Sequence, residues 1–264
     1  MRITTWNVNS IRARETIVLD WIRRNEPDVL LVQETKVADA QFPALAFEAA
    51  GYRAALHGQS DGRHGVAILA RHPIDDVICG LPGADEHGHA RWIEATVDGV
   101  RVASVYVPNG TALDSPYFPY KLDFLGRMEQ RIAELLADDV DLLVGGDMNV
   151  APEDIDVYDP VACAGEICFH PSERRALRRI LHRGAYDVFR ARAPDDPGFT
   201  WWHYQGGAWE RDAGLRIDLL LGSGRVLDRV TRCDADRKER EGRGVSDHVP
   251  LSCDLAPTRE LRDP

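Results

Sequence analysis

The sequence lacks the features of a membrane protein, a secreted protein or a thiolate metal protein. Its 264 residues include no run of about 18 apolar residues, which excludes a transmembrane helix. The first residues, Met1 to Asn7, contain no basic segment followed by an apolar one, so no signal peptide is expected. Its five cysteines form no Cys-x-x-Cys pair, which argues against a disulfide framework or a thiolate zinc site. We therefore expect a cytoplasmic protein whose thiols are reduced and mostly buried.

Three common catalytic or nucleotide-binding motifs are also missing. The chain has no Gly-x-Gly-x-x-Gly after a strand, no Walker sequence and no Gly-x-Ser-x-Gly turn. Basic residues are outnumbered, 32 to 43, and the net charge of −11 argues against a protein that binds nucleic acid over its whole surface. A local basic patch remains compatible with this charge, because exposed charges act only within about 10 Å in salt.

Apolar runs that suit buried strands recur along the chain, at residues 28–33, 65–69, 141–145, 217–221 and 249–255. A hairpin is predicted over residues 92–107, where Asp98-Gly99 supplies the positive φ of a tight turn. Helical spacing predicts helices over residues 14–24, 120–137 and 174–183, the last with Ser172 as its N-cap. Since no linker divides the chain, we expect one α/β unit of packed sheets with helices outside.

Polar side chains follow these apolar runs. Strand ends and loops that meet at one edge of a layered α/β protein often form its site, so we expect these groups to converge. They are Asn7, Asn9, Gln33, Glu34, Tyr106, Asn109, Asp147, Asn149, Asp218, Asp247 and His248.

The chemistry of this set favours phosphate hydrolysis. Carboxylate and amide oxygens without thiolates suit a hard cation such as Mg²⁺ or Mn²⁺. Amide donors and a tyrosine hydroxyl suit phosphate oxygens. Asp218 lies within an apolar run, where a buried carboxylate needs a donor, and a histidine is a good one. Together these groups indicate metal-assisted attack of water on a phosphodiester.

Each residue also has a structural interpretation. A single aspartate such as Asp147 at a strand end is commonly a turn or cap residue. Asp247-His248 fits a surface turn, Gln33-Glu34 fits a solvated strand end, and Trp202 fits the core. These interpretations hold singly, but the whole set together favours a site.

Seven segments carry a resemblance to the exodeoxyribonuclease III and abasic-site (AP) endonuclease family, within the Mg²⁺-dependent endonuclease/exonuclease/phosphatase superfamily. The segments are WNVNSIR (6–12), QETK (33–36), YVPNG (106–110), GDMNVA (146–151), FTWW (199–202), LRID (215–218) and SDH (246–248). They occur in the order typical of that family. The resemblance implies a four-layered α/β sandwich, with two mixed sheets face to face and helices on the outer faces. It also implies one catalytic domain over residues 1–264.

The resemblance assigns roles to the site residues. Glu34 resembles the main Mg²⁺ ligand, with Asn7 close by and Asp247 near the metal; Mn²⁺ is a possible substitute. His248 would contact the scissile phosphate and be oriented by Asp218. Asp147 would activate the attacking water or protonate the leaving oxygen, and both roles stay open. The residues that would hold phosphate oxygens are Tyr106, Asn109 and Asn149.

The implied activity is cleavage of duplex DNA on the 5′ side of an abasic site, together with 3′–5′ exonuclease activity and removal of 3′ blocking groups. The residues implied to form a small apolar pocket for a sugar without its base are Trp201, Leu215 and Ile217. Superfamily members that act on lipid or inositol phosphates are not expected to share these segments. The alternatives are therefore a small-phosphoester hydrolase of the same superfamily, and a catalytically silent DNA-binding protein.

Basic residues for DNA contact are expected in three places. The first is a helix with Arg174, Arg175, Arg178, Arg179 and Arg183, which equally fits a solvated face. The second is the charged run from Arg237 to Arg243, and the third is Lys121 beside the loop 110–120. No heptad or apolar stripe calls for a partner copy, so a monomer is expected.

Overall fold

The apolar runs form the centres of two six-stranded β-sheets in the computed structural model, which describes residues 1–83 and 87–257. Residues 258–264, at the end of the predicted domain, lie outside the described part of the chain. In chain order the strands are β1 (Arg2–Asn7), β2 (Val29–Gln33), β3 (Arg53–His57), β4 (Val66–Ala70), β5 (Asp75–Cys79), β6 (Trp92–Val97), β7 (Val100–Tyr106), β8 (Leu142–Asp147), β9 (Tyr186–Asp187), β10 (Asp218–Gly222), β11 (Val230–Ala235) and β12 (Leu251–Leu255).

Six α-helices and three short 3₁₀ helices connect the strands in the described residues. The α-helices are α1 (Glu15–Asn25), α2 (Ala44–Ala49), α3 (Tyr117–Ala137), α4 (Pro171–His182), α5 (Val188–Arg192) and α6 (Gly224–Arg229). The 3₁₀ helices are Asp39–Gln41, Asp154–Asp156 and Arg237–Arg240. Within residues 1–83 and 87–257, none of the helices has the length and apolar character needed to cross a membrane.

Both sheets are mixed. The first has the strand order β11-β12-β1-β2-β4-β3 and the second β5-β6-β7-β8-β10-β9. β1 runs parallel to β2, and β7 runs parallel to β8, whereas the other pairs are antiparallel. The carboxyl ends of both parallel pairs therefore end in loops that carry the polar motifs.

Three apolar clusters hold the layers together. Leu31, Ile68 and Leu220 belong to the cluster between the two sheets. A second cluster packs α3 and α4 on the outer face of the second sheet, and a third packs α1 and α2 on the first. This arrangement confirms the four-layered α/β sandwich.

Gly145 lets the two sheets approach closely beside the site. A Cβ at this position would lie 2.8 Å from side-chain carbons of both Leu31 and Leu220. The following Gly146 has no room either, because a Cβ there would meet the Val105 carbonyl. The two glycines therefore set the position of β8 and of the aspartate that ends it.

The predicted strands and hairpin are confirmed, and Asp98 and Gly99 both have positive φ. α3 begins at Tyr117, earlier than predicted. The prediction of Ser172 as the N-cap of α4 is wrong. Pro171 occupies the first helical turn, so His170 is the cap, and its Nδ1 accepts the Ser172 N–H at 3.2 Å.

The five cysteines are all free thiols, as the sequence predicts. Cys168, Cys233 and Cys253 are buried, Cys163 is half-buried and Cys79 is exposed. Burial raises the pKa of the Cys168 and Cys253 thiols to about 12, so both stay protonated at neutral pH.

Candidate active site

Strand register brings the polar motifs together at one edge of the sandwich. On the second sheet, Tyr106 pairs with Asp147, and Asp147 pairs with Asp218. On the first sheet, Asn7 pairs with Gln33, directly before Glu34. The facing sheets therefore place these groups around one concave space.

That space is a cavity of about 380 Å³. Of the twelve residues to which the resemblance assigns a role, ten line it, and the other two, Asn7 and Asp218, are fully buried directly behind its wall. The lining residues are Glu34, Tyr106, Asn109, Asp147, Asn149, Ile167, Cys168, Trp201, Leu215, Ile217, Asp247 and His248.

His248 lies between two aspartates at the back of this cavity. Its Nδ1 is 2.8 Å from Asp218 Oδ2, and its Nε2 is 3.7 Å from Asp147 Oδ2. Burial disfavours the charged imidazole, but Asp218 and Asp147 outweigh it and raise the pKa of His248 to about 10. The imidazole is therefore protonated at neutral pH, and Asp218 fixes its orientation.

Asp147 lies in an environment that disfavours the charged form of its carboxyl group. Burial, together with the charges of Asp218 and Glu34 and against the attraction of His248, raises the pKa of Asp147 to about 7. Its Oδ2 accepts a hydrogen bond from Asn7 Nδ2 at 3.0 Å, and its Oδ1 accepts the Asn149 N–H at 2.9 Å. Asp147 can therefore gain or lose a proton near neutral pH, as general acid–base catalysis requires.

Glu34 and Asp247 remain charged. Burial alone would raise the pKa of Glu34, but Lys36, with Nζ 2.7 Å from Oε2, and the Asn7 amide hold it below its ordinary value. Burial of Asp247 is likewise outweighed, by His248 and by N–H donors, so its pKa is also lowered. Those donors are Trp201 Nε1 and Asn9 Nδ2, each 3.0 Å from a carboxylate oxygen.

The donor set fits a hard divalent cation. Four carboxylates, Glu34, Asp147, Asp218 and Asp247, lie in and around one cavity, and Asp218 Oδ1 is buried without a hydrogen-bond partner in the described part of the chain. Ligand atoms of Asp147, Asp218 and His248 lie within 4.8 Å of one another. The set is rich in oxygen and contains no thiolate, the composition that Mg²⁺ and Mn²⁺ prefer.

Two carboxamides and a tyrosine form the polar wall opposite the histidine. Asn109 Nδ2 donates to Asn149 Oδ1 at 2.9 Å, and Asn149 Nδ2 donates to the Val107 carbonyl at 2.9 Å. Asn149 retains a second N–H for a ligand, whereas Asn109 Nδ2 also contacts Cys168 Sγ at 3.8 Å. Burial, with the charges of Glu34 and Asp147, raises the pKa of the Tyr106 hydroxyl well above its ordinary value, so it stays a donor.

An apolar pocket adjoins these polar groups. Trp201 forms isolated β-bridges with Leu215 and with His248, and its ring centroid lies 6.5 Å from that of His248. Ile217 and Ile167 complete the apolar wall. Trp202 points the other way and is fully buried, which confirms its interpretation as a core residue.

The lysine predicted to approach DNA does not reach the surface. Lys121 is fully buried on α3 and pairs with Glu173 on α4. Its helix begins at Tyr117, three residues before the predicted start, and the lysine side chain packs inside the protein rather than beside an exposed loop.

Arg237 and Arg240 in the charged run are structural. The Arg237 guanidinium lies 4.8 Å from the Trp202 ring centroid and pairs with Asp212 at 2.7 Å. Arg240 is only 8% exposed and donates to the Trp202 carbonyl at 3.2 Å. These arginines stabilise the loop that follows Trp202.

The α4 arginines also pair within the protein. Arg174 contacts Asp154 at 2.9 Å, and Arg179 and Arg183 both contact Glu129 at 2.9 Å. They are absent from the lining of the cavity in the described part of the chain. The structure therefore favours the interpretation of a solvated, self-paired face for this helix.

Sequence reasoning missed several residues at the site. Ile167 and Cys168 line the cavity from the loop before α4, and neither residue type signals a site. Lys36 lies within a quoted motif, but its contact with Glu34 was not predicted. Positive φ at Glu34 (53°) and Asn149 (49°) shows left-handed backbone just after β2 and β8, which sequence alone does not show for these residues.

Comparisons with known proteins identify the family. Residues 4–248 match the endonuclease/exonuclease/phosphatase family. The chain belongs to this family. It is 30% identical to exodeoxyribonuclease III of Haemophilus influenzae, over 95% of this chain and 98% of that protein. It is 32% identical to the DNA repair nuclease APEX1 of Danio rerio, over 97% of this chain and 82% of that protein.

Solved structures of this family have the same fold. An AP endonuclease from Archaeoglobus fulgidus superposes with a TM-score of 0.92 at 38% identity, covering 97% of this chain and 99% of that one. The 3′ phosphatase NExo from Neisseria, bound to a product DNA hairpin, superposes with a TM-score of 0.94 at 36% identity and the same coverage. The likeness extends over nearly the whole of each chain.

Proposed function

We propose that this protein is a Mg²⁺-dependent DNA repair phosphodiesterase, an AP endonuclease that cleaves duplex DNA on the 5′ side of abasic sites. The same site would act as a 3′–5′ exodeoxyribonuclease and remove 3′ blocking groups. The observation that carries the proposal is the buried Asp218–His248–Asp147 cluster beside an apolar pocket. Relatives named as exodeoxyribonuclease III and AP endonuclease support it.

Glu34, Asn7 and Asp247 would hold the Mg²⁺. Glu34 and Asp247 are ionised, and they border a cavity with more buried acid than base. Bound there, the cation supplies Lewis-acid stabilisation of phosphate oxygens and makes a water molecule more acidic. Mn²⁺ would substitute because it accepts the same oxygen ligands.

His248 and Asp147 would handle charge and protons. The protonated imidazole, held by Asp218, would donate a hydrogen bond to the scissile phosphate. Asp147, with its pKa near neutral, suits either acceptance of a proton from the attacking water or its donation to the leaving oxygen. Both assignments leave Asp147 in contact with the reacting atoms.

Tyr106, Asn109 and Asn149 would donate hydrogen bonds to the non-bridging phosphate oxygens. Donors fixed by the surrounding fold stabilise the charge that develops in the transition state without reorganising. Both carboxamides are fixed in this way, since Asn149 is hydrogen-bonded to Val107 and Asn109 to Asn149.

The apolar pocket would select the substrate. Trp201, Leu215 and Ile217 offer a surface for a deoxyribose that lacks its base, next to the phosphate-binding groups. A base-free nucleotide has already lost stacking and pairing, so its extrusion from the duplex costs less than that of an intact nucleotide. An intact nucleotide would be excluded by size.

The experiment is a product map on a 5′-labelled duplex with one stable abasic analogue, in Mg²⁺ and in EDTA. We expect a single Mg²⁺-dependent band cut directly 5′ to the analogue. A ladder that recedes from the 3′ end would make the exonuclease the main activity and contradict the pocket assignment. Absence of any product in Mg²⁺ or Mn²⁺ would contradict the proposal and favour a small-phosphoester hydrolase or a silent DNA-binding protein.

Duplex DNA with abasic sites or 3′ ends would thus be the partner of a cytoplasmic, monomeric protein with one catalytic domain. Sedimentation with and without a short abasic duplex tests this part: we expect one protein copy per duplex, and a stable dimer would contradict it.

A further inference from the structure

A buried ion pair lies beneath the two carboxamides of the site, and the proposed chemistry does not use it. The Lys121 ammonium on α3 contacts Glu173 on α4, and both side chains are 0% exposed. The free energy lost when two charges leave water can exceed the free energy gained from their attraction. Apolar residues therefore often replace such pairs without loss of stability. Stability alone is therefore a weak reason for this pair.

The other two hydrogen bonds of the Lys121 ammonium go to backbone carbonyls of the candidate active site. Its Nζ donates to the carbonyl of Asn109 at 3.0 Å and to the carbonyl of Asn149 at 2.7 Å. A lysine ammonium has three donors, so Glu173 and these two carbonyls use all of them. The Lys121 ammonium thus connects, by hydrogen bonds, the loops that follow β7 and β8.

The two loops also have hydrogen bonds of their own, and Lys121 adds to them at a point where the backbone needs support. Asn149 has left-handed backbone at φ 49°, a conformation that costs energy outside glycine. Next to Asn109, a Cβ on Gly110 would lie 3.3 Å from Lys121 Cδ, so the loop packs directly on the lysine stem. The lysine therefore supports both asparagines from below.

Glu173 extends the connection to the start of α4. Its second carboxylate oxygen accepts the His170 N–H at 3.0 Å, as part of the helix cap. The loop before α4 includes Cys168, whose Sγ lies 3.7 Å from Asn149 Oδ1. The pair therefore joins three of the loops that surround the cavity.

We infer that Lys121 and Glu173 are positioning residues for phosphodiester hydrolysis, which hold the Asn109 and Asn149 amides where the scissile phosphate must lie. The inference rests on the proposed function for its chemistry and on these contacts for its geometry. Misplacement of such donors by about 1 Å can cost about 100-fold in rate.

The test is the double variant Lys121→Met/Glu173→Gln. It removes both charges, and the introduced glutamine can still accept the His170 N–H, because glutamine also serves in this kind of helix cap. Lys121→Met alone should lower the melting temperature strongly, since it leaves a buried carboxylate unpaired, and the double variant should recover most of the loss. In the double variant we expect kcat for abasic-site incision to fall about 10- to 100-fold, with KM within about threefold of wild type.

A matched control uses another buried ion pair, Glu94 with Arg101, on a different part of the second sheet. The variant Glu94→Gln/Arg101→Met should keep kcat within about twofold of wild type, because Glu94 and Arg101 contact each other, Asp76 on β5 and Arg131 on α3, and none of these contacts reaches the asparagine loops. If the Lys121/Glu173 double variant is folded and keeps kcat within about twofold, the pair is structural only and the inference fails.

A second readout needs no substrate. The side-chain amide NMR signals of Asn109 and Asn149, assigned by single substitution, should shift or broaden in the Lys121/Glu173 double variant and stay in place in the control. Unchanged signals would overturn the inference. If the wild-type protein cleaves no DNA, the proposed function fails, and these spectra still decide whether the ion pair positions the amides.

Discussion

Two buried carboxylates of the second sheet, Glu94 and Asp147, are stabilised in opposite ways. Glu94 on β6 accepts hydrogen bonds from Arg101 at 2.6 Å, from Arg131 and from the Trp92 indole at 2.9 Å. Burial would raise the pKa of Glu94, but the two arginines hold it below its ordinary value. Asp147 lies among other acids, and the same burial raises its pKa to about 7.

The difference separates the structural use of a buried charge from the catalytic use proposed for Asp147. Glu94 is compensated by two cations and has no remaining demand for a ligand. The acids around Asp147 have His248 and Lys36 as nearby cations, and Asp218 Oδ1 has no hydrogen-bond partner among the described residues. Uncompensated charge of this kind is costly in the free protein and becomes favourable when a metal ion and a phosphate are bound.

The largest effect should come from His248→Ala. This change removes the cation that, in the proposed function, would contact phosphate, and it leaves Asp218 and Asp147 without their imidazole partner. We expect kcat for abasic-site incision to fall about 10³- to 10⁴-fold. Single-turnover incision assays measure the loss, and a fall of less than about tenfold would remove His248 from the reaction.

Glu94→Ala should affect stability instead of activity. It leaves the buried Arg101 and the half-buried Arg131 without this carboxylate, so we expect a loss of about 3 kcal/mol in the free energy of unfolding. Urea unfolding measures this loss, and incision kinetics on the folded fraction should match wild type. A large fall in kcat with unchanged stability would contradict the structural role of Glu94 and the contrast with Asp147.

Asp218→Ala should cost less than His248→Ala, because the imidazole stays in place and loses only its orienting partner. We expect kcat to fall about 10- to 100-fold. The variant should also lose activity at a lower pH than wild type as the solution becomes alkaline, since Asp218 raises the pKa of His248. A pH–rate profile identical to wild type would show that Asp218 does not support the histidine.

Asp147→Asn should stabilise the metal-free protein at alkaline pH. The folded-state pKa of about 7 exceeds the ordinary aspartate value, so wild type loses stability as pH rises from about 4 to 7 and stays lower above that range. Relative to wild type in EDTA, we expect the variant to gain about 1–3 kcal/mol at pH 8 and little at pH 4. Equal stability of the two proteins at pH 8 would argue against an uncompensated Asp147.

The smallest effect should come from Trp201→Phe. The change keeps an aromatic ring in the apolar pocket but removes the indole N–H that donates to Asp247 at 3.0 Å. We expect about a tenfold fall in incision, near the lower end for a hydrogen bond to a charged group. Trp202→Phe provides a contrast, since its indole contacts Asp212, and its activity should stay within about twofold.

Most of the site could be predicted because it lies where apolar runs end. Buried strands such as β2 and β8 are visible as apolar runs, and their register brings Glu34 and Asp147 to one edge. The pairing of Asp218 with His248 could also be predicted, because a carboxylate inside an apolar strand requires a hydrogen-bond donor.

Near the site, the predictions that the structure does not support concern basic residues. Lys121, Arg237 and Arg240 have long apolar stems and charged ends, so their residue type alone does not show whether they face solvent or pack inside. The structure buries Lys121 against Glu173 and stacks the two arginines on aromatic rings. Each outcome depends on contacts between segments far apart in the sequence, which local patterns do not contain.

Stabilisation by magnesium tests most directly whether the acid-rich cluster is a cation site. The free energy of unfolding would be measured at pH 8 over a range of free Mg²⁺ for wild type, Glu34→Gln and Glu94→Gln. We predict that wild type and Glu94→Gln gain stability logarithmically with Mg²⁺, as for a ligand that binds only the native state, while Glu34→Gln stays flat. A flat response in wild type, or an equal gain in Glu34→Gln, would contradict the assignment of Glu34 as the metal ligand.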